Sequence, residues 1–307
     1  MGEELNSQDR KRLPGPENDG GLTDSANYRK TPMYLAIHAP RYQRQQLIRE
    51  IEVTTGRTLL CYVCGENAEI SRDDTLGIVE LLHNVQPGSS IDLMLHTLGG
   101  DVDAAEKLIS MVRAAVAPTA FLRVIVPDSA KSAGTLMALG ANEIVMSDTS
   151  ELGTIDPQLV LKDGKGNNIV HSVLSYLDAY EGVAAELRRD PDDPVFKVQI
   201  ATFDPTVLQT FEAVRLRART LAENLLKRVG LNYTAVAASL MDTKRFPSHS
   251  QMIGYETAKE IGLNITYLPS EDPIWQKYWA LYCHLRLAIN GKQKLFESAR
   301  ASLPLDI

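Results

Sequence analysis

Several things are scarce or missing in this sequence, and each gap excludes something. Only three cysteines, Cys61, Cys64 and Cys283, occur in 307 residues. That rules against a disulfide framework and fits a reducing compartment. Cys61 and Cys64 stand three apart in LLCYVC, which reads as a strand, so their side chains point to opposite faces. With no second ligand pair they read as small buried hydrophobes rather than a zinc or redox pair. No pair among the six histidines has metal-ligand spacing, and neither a metal nor a cofactor is implied. No apolar run is long enough to cross a bilayer, so no integral membrane segment is expected. The first thirty residues lack the apolar core of a secretory signal, which makes a cytoplasmic location the expectation. No lysine- and arginine-rich run offsets the net charge of −7, which disfavours nucleic acid as a partner. No G-x-x-x-x-G-K-[ST] loop is present, so any power to unfold a protein has to come from a separate partner protein.

What is present suits a globular chain. Apolar residues make up 44% of it, enough for a substantial core. Residues 1–30 are polar, with Pro14, Pro16 and Asp19-Gly20-Gly21, and read as a disordered arm. Residues 31–58 form an N-terminal contact segment, in which APRYQRQQLIRE has helical spacing and suits a partner-contacting helix. From Leu59 strands and helices alternate. LLCYV, IDLML, LRVIV and EIVM are short apolar strands, and the segments 73–85, 102–116 and 133–140 are helices. Pro118 stops the second of these. Such alternation predicts an α/β fold with a mainly parallel sheet and right-handed crossovers. Residues 160–203 are less regular. A long helix follows, capped by Asp204, with Pro205 in its first turn and Gly230 as its stop. Residues 269–307 read as a helical C-terminal appendage, in which 274–289 form an amphipathic helix.

Two glycine-marked strand-to-helix turns lie about thirty residues apart. The first, Gly99-Gly100, offers bare backbone N–H groups; the second presents Ser132 within Lys131-Ser132-Ala133-Gly134. Read locally, Ser132 is as well explained by helix capping, and the glycines by a tight turn needing positive φ. Read together, a hydroxyl beside two sets of N–H donors is the arrangement of acyl transfer with an oxyanion hole.

The ordered set H-T-x-G-G, then S-A-G-T-L-x-A-L-x-A-x-E-I-V-M, then L-G-x-x-D-P-Q resembles the Clp-protease/crotonase superfamily. Within it the sequence is most similar to the serine dehydrogenase proteinase family, relatives of signal peptide peptidase A and of the Clp proteolytic subunit. The resemblance covers residues 59–268, which it marks as the protease domain, and it implies a ββα spiral core and a homo-oligomer. The amphipathic segments 41–49 and 274–289 offer surfaces for such an assembly. It also implies that Ser132 is the nucleophile and that the N–H groups of Gly99 or Gly100 and of Ala133 form the oxyanion hole. One departure is Leu98, where relatives usually carry proline. The late elements, residues 240–249 and 254–263, resemble a short strand, a turn and a helix leading to a last strand, Ile265-Thr266-Tyr267.

The general base is the open question. Signal-peptide-peptidase-type relatives use a lysine near the start of the long helix, and the equivalent neighbourhood around Ala213 holds Glu212 and Arg215. Arginine is no base at neutral pH. Asp156, in the family-like LGTIDPQ, is ranked first, as base or orienter. Lys197, His171, Lys162 and Lys165 are further candidates. His96, at the end of the strand entering the glycine turn, is read as a support for that turn, and His249 as structural. The function that follows is peptide-bond hydrolysis by a serine nucleophile acting on a protein or peptide. The alternatives are a catalytically degenerate oligomeric binding module and crotonase-like acyl-CoA chemistry.

Overall fold

The computed structural model describes residues 30–116, 120–162 and 165–306. The expected disordered arm, apart from Lys30, and the helix stop at Pro118 lie outside them. The chain divides into two units, residues 1–38 and 39–307. The described part of the first holds the start of α1 (Pro32–Thr55), where the Tyr34 and His38 rings lie 4.2 Å apart.

The second unit alternates as follows: β1 (Thr58–Cys64), α2 (Thr75–Leu82), β2 (Ile91–His96), α3 (Val102–Ala115), β3 (Leu122–Ile125), β4 (Ser129–Ala130), α4 (Ala133–Leu139), β5 (Glu143–Met146) and β6 (Glu151–Leu152). Then come a hairpin, β7 (Gln158–Lys162) and β8 (Asn168–Ser172), and four helices, α5 (Val173–Arg189), α6 (Pro194–Ile200), α7 (Pro205–Arg228) and α8 (Tyr233–Leu240). The chain closes with α9 (Tyr255–Ile261), β9 (Ile265–Tyr267), α10 (Pro273–Leu287), β10 (Gln293–Ser298) and β11 (Ser302–Asp306). Seven strands form one sheet in the order β11-β10-β1-β2-β3-β5-β9. The five from β1 to β9 run parallel, and β10 and β11 are antiparallel additions.

Because the parallel strands follow one another in chain order, crossovers of one hand place their helices on one face. Alternate strand residues then feed two cores. Leu60, Tyr62 and Cys64 join the large core with α2, α3, α4 and α7. Leu59, Cys61 and Val63 face the other way, onto α10 and Ile48 and Ile51 of α1. The two cysteines thus lie on opposite faces of β1 and are both buried. Trp275, Tyr278, Leu281, Tyr282 and Leu285 of α10 are consumed in the second core. The apolar stripes expected to serve an oligomer are therefore spent on the chain's own sheet.

Buried charges stitch these layers. Asp92 of β2 is fully buried and held by Arg57, by a bidentate Arg123 (2.6 and 2.9 Å) and by the Tyr278 hydroxyl. Asp74, just before α2, takes the Lys294 ammonium at 2.7 Å, the Tyr62 hydroxyl at 2.6 Å and the Ser71 N–H at 2.8 Å. Lys294 belongs to β10, so that strand closes the loop in front of α2.

The element boundaries agree with the sequence pattern for β1, β2, α3, α4, β5, α7 and β9. Asp204 caps α7 through the N–H groups of Thr206 and Val207. Three differences have physical causes. The stretch read as irregular, residues 160–203, contains a hairpin and the 17-residue α5. The fully buried part of α5's stripe packs chiefly on α7, with Val173, Leu177 and Phe211 as a small third core. It is too sparse to stand out as a periodic pattern. The short strand expected near residue 240 is the end of α8 and a turn. The C-terminal appendage is helical through α10 and then returns as β10 and β11; the β10 pattern is masked by the buried charges Lys294 and Glu297, paired with Asp74 and Arg44.

Candidate active site

Two turns meet at the carboxyl end of β2. Thr97 is paired with Ala130 across a parallel bridge, its N–H donating to Ser129 O (2.9 Å) and its carbonyl accepting from Lys131 N (3.1 Å). Beyond it the backbone passes through Gly99 at φ +125° and Gly100 at φ +139°. Both positions demand glycine. A Cβ on Gly99 would stand 2.9 Å from the Ser132 Cβ, and one on Gly100 would stand 2.4 Å from the Ile70 nitrogen. Ile70 holds the turn from outside: its N–H donates to Gly99 O (2.8 Å) and its carbonyl accepts from Asp101 N (2.9 Å). In such a parallel bridge the partner residue, Gly100, turns its own N–H to the other side.

Ser132 sits at φ 52°, ψ −116°, and among the described residues no other non-glycine has positive φ. Such a conformation costs of the order of 1–3 kcal/mol and persists only where its surroundings enforce it. The enforcement is visible. The Thr135 hydroxyl, fully buried, lies 2.8 Å from Ala130 O and accepts the Gly153 N–H at 3.0 Å. Gly153 itself lies so close that a Cβ there would be 3.2 Å from Ser132 N. Ser132 is the N-cap residue of α4, yet its hydroxyl makes no capping bond. The capping explanation therefore does not account for it. The Gly99 N–H is spent on Thr97 Oγ1 (3.1 Å), whereas the N–H groups of Gly100 and Ala133 have no acceptor among the described residues.

The expected bases fall into place unevenly. Asp156 is buried, but no hydrogen bond joins it to Ser132. Its Oδ1 accepts from the Ser172 hydroxyl (2.9 Å) and Leu174 N (3.4 Å), and its Oδ2 lies 3.6 Å from His249 Nδ1. That last separation is ion-pair range and a few tenths of an ångström beyond a hydrogen bond. His249, read from the sequence as structural, thus lies beside this carboxylate. Its Nδ1 is buried with no hydrogen-bond partner among the described residues. Its segment runs antiparallel to the one carrying Asp156. Leu152 and Ile253 exchange N–H···O bonds of 3.0 Å in both directions, and Thr154 Oγ1 donates to His249 O at 3.4 Å. Asp156 and His249 line a cleft of about 50 Å³ with Thr154, Ser172 and Phe246. The available signal was an acid in a family-like motif and a histidine in the last shared element, residues far apart in sequence.

The other candidates lie elsewhere. Lys197 of α6 pairs with Asp192 at 3.1 Å, and His171 of β8 packs edge-on against Tyr176. Lys162 and Lys165 flank the β7–β8 turn. No hydrogen bond or ion pair joins these residues to Ser132 among the described residues.

His96 is buried behind the turn. Its Nδ1 accepts from Ser129 N (3.3 Å), with the Tyr282 hydroxyl at 3.2 Å and Asp128 Oδ2 at 3.7 Å. Burial brings its pKa down to about 4, aided by Arg286 and opposed by the Asp128 carboxylate. The ring is therefore neutral at pH 7. Below about 6.5 the unfolded chain takes up a proton that the folded ring refuses until about pH 4. Stability is full above that window and is lost as pH falls through it, by about 2–3 kcal/mol from this residue. Urea unfolding at pH 7, 5.5 and 4.5 checks this: His96→Gln should flatten the decline. Identical declines in both proteins would contradict it.

A mostly parallel α/β sheet with a strained serine facing a glycine turn fits a ClpP-like fold. The chain belongs to the ClpP-like SDH-type serine proteinases: the family model matches residues 68–176. It is 32% identical over 256 residues to an uncharacterized protein of Methanocaldococcus jannaschii, covering 78% of this chain and 81% of that one. A second uncharacterized protein of that organism is 31% identical over 127 residues, 38% of this chain and 42% of the other. Among solved structures, two variants of the 1510-N membrane-bound stomatin-specific protease resemble it. A serine-to-alanine variant is 16% identical, with TM-score 0.42 over 72% of this chain and 84% of that one. A lysine-to-alanine variant in complex with a substrate peptide is 15% identical, with TM-score 0.39 over 74% and 98%. No helix among the described residues is long and apolar enough to cross a membrane.

Proposed function

We propose that the chain hydrolyses peptide bonds through an acyl-enzyme on Ser132. The observation that carries this reading is a strained serine whose hydroxyl caps nothing, beside two N–H groups, those of Gly100 and Ala133, with no acceptor. Ser132 Oγ attacks the scissile carbonyl and its proton passes to Nε2 of His249. The carbonyl oxygen, now negative, is held by the two N–H groups. Asp156 faces Nδ1 of the same ring, which fixes the tautomer and stabilises the imidazolium. The imidazolium then gives its proton to the leaving amine. Water, activated by the same ring, releases the acyl group and restores Ser132. This gives Asp156 the orienting role and the base role to His249. Gly99 acts through its conformation and not through its N–H.

The substrate is an extended stretch of polypeptide. Leu98, next to the glycine turn, and Met252, three residues after His249, are exposed apolar side chains that suit its apolar residues. The chain works as a homo-oligomer, and folded substrates need a separate unfolding partner. One observation favours a second reading, a degenerate binding module: no titratable side chain is hydrogen-bonded to Ser132 among the described residues. Such bonds are often long before substrate is bound. A fluorophosphonate probe separates the two. Covalent labelling, mapped by mass spectrometry to the peptide holding Ser132, is the expected result. An unlabelled protein would make the binding module the better reading.

A further inference from the structure

Lys131 precedes the serine, and its side chain is engaged at both a carboxylate and a carbonyl. It is 14% exposed, and its Nζ lies 2.9 Å from Glu151 Oε2 and 2.9 Å from the Ser250 carbonyl. Glu151 is itself fixed, its Oε1 accepting from the Ser129 hydroxyl at 2.8 Å. The ammonium of Lys131, one residue past β4, therefore joins β6 to the segment carrying His249. That segment, residues 241–254, has no helix or strand of its own. Near His249 it is tied by the Lys131 bond, the long Thr154 bond and the Leu152–Ile253 bridge.

The serine turn does not need this ammonium. Lys131's backbone already bonds Thr97 O and Gly134 N, and Thr135 closes the turn from below. What the ammonium adds is a link between two pieces that are otherwise loosely joined. Ser132 is covalently next to Lys131, and His249 is covalently next to Ser250. A charge-assisted bond to a carbonyl, with a carboxylate compensating the charge, is a strong and directional tether. Proton transfer between Ser132 and His249 requires heavy atoms within about 2.6–3.2 Å, and a misplacement of about 1 Å is costly.

We propose that Lys131 is a positioning residue, whose ammonium clamps the His249–Ser250 segment onto the serine turn. The proposal rests on the reading of His249 as the base. An ammonium held by Glu151 and a carbonyl is not a free amine, so Lys131 is not itself the proton acceptor.

The test compares Lys131→Met, Lys131→Arg, Glu151→Ala, His249→Ala and the double variant Lys131→Met/His249→Ala, in kcat and KM on one peptide. Lys131→Met should lower kcat by about 10–100-fold with KM within about threefold, because the loss falls on alignment and not on substrate binding. Lys131→Arg keeps a cation that reaches Glu151 and should recover most of the rate, although arginine cannot act as a base. Glu151→Ala should reproduce the loss in part, which keeps the idea testable if Lys131→Met does not fold. In the His249→Ala background, Lys131→Met should cost little more, since nothing remains to be aligned. The proposal is overturned if Lys131→Met leaves kcat within twofold, if its loss multiplies fully with that of His249→Ala, or if Lys131→Arg is as inactive as Ser132→Ala. Full activity in His249→Ala would instead remove the underlying reading.

Discussion

Ser132→Ala is expected to reduce kcat/KM on an unstructured polypeptide by at least about 10³-fold, leaving only what the N–H donors and substrate binding contribute. The fold should be untouched, since the hydroxyl makes no hydrogen bond that the turn relies on. Ser132→Gly sharpens the experiment. Glycine accepts φ 52° without strain, so this variant should be equally inactive yet at least as stable as the parent, by about 1 kcal/mol. An inactive but stabilised protein is what a strained nucleophile predicts. Hydrolysis at the parental rate by either variant would take Ser132 out of the chemistry.

The second large effect concerns the pair behind it. His249→Ala should lower kcat by about 10³–10⁴-fold, and Asp156→Asn by a comparable or smaller factor, because an amide can hold the ring in the wrong tautomer. The two losses should be far from additive, as expected of residues that act through one imidazole. Asp156 also bonds the Ser172 hydroxyl and Leu174 N, so its variants should be checked by thermal unfolding before their rates are compared. A His249→Ala protein with more than a tenth of parental kcat, at unchanged stability, would leave Ser132 without this base.

The parts of the architecture carried by local pattern were readable in advance. Apolar strands of four to six residues, the stripe of α3 and the Asp204-Pro205 start of α7 each report themselves within a short window. So did the two turns, because only glycine tolerates the φ values at 99 and 100 and because small residues must follow Ser132. The proposed acid–base pair was not readable in the same way. Asp156 and His249 are brought together by the bridge between Leu152 and Ile253, a contact spanning about a hundred residues with no periodicity to announce it. The role of Lys131 was hidden for a different reason. A lysine beside Ser132 carries no pattern that names its partners, and only the fold shows that it faces Glu151 and Ser250. Likewise α10 reads as a surface helix until the second face of the sheet is seen to need a cover.

The Lys294–Asp74 pair has a consequence for biosynthesis. The central strand β1 is bordered on one side by β2, its near neighbour in sequence, and on the other by β10, more than two hundred residues later. Asp74, which fixes the Ile70–Ser71 stretch behind Gly100, finds its ammonium only on that late strand. While the ribosome is still making the middle of the chain, the serine turn can already be shaped by Thr97, Thr135 and Gly153. The carboxylate of Asp74 then stands in apolar surroundings with its countercharge not yet translated, and the wall behind the glycine turn is unsecured. Non-local closures of this kind come last in folding. The stretch behind Gly100 thus gains the ammonium that fixes it only once β10 has been made and docked against β1.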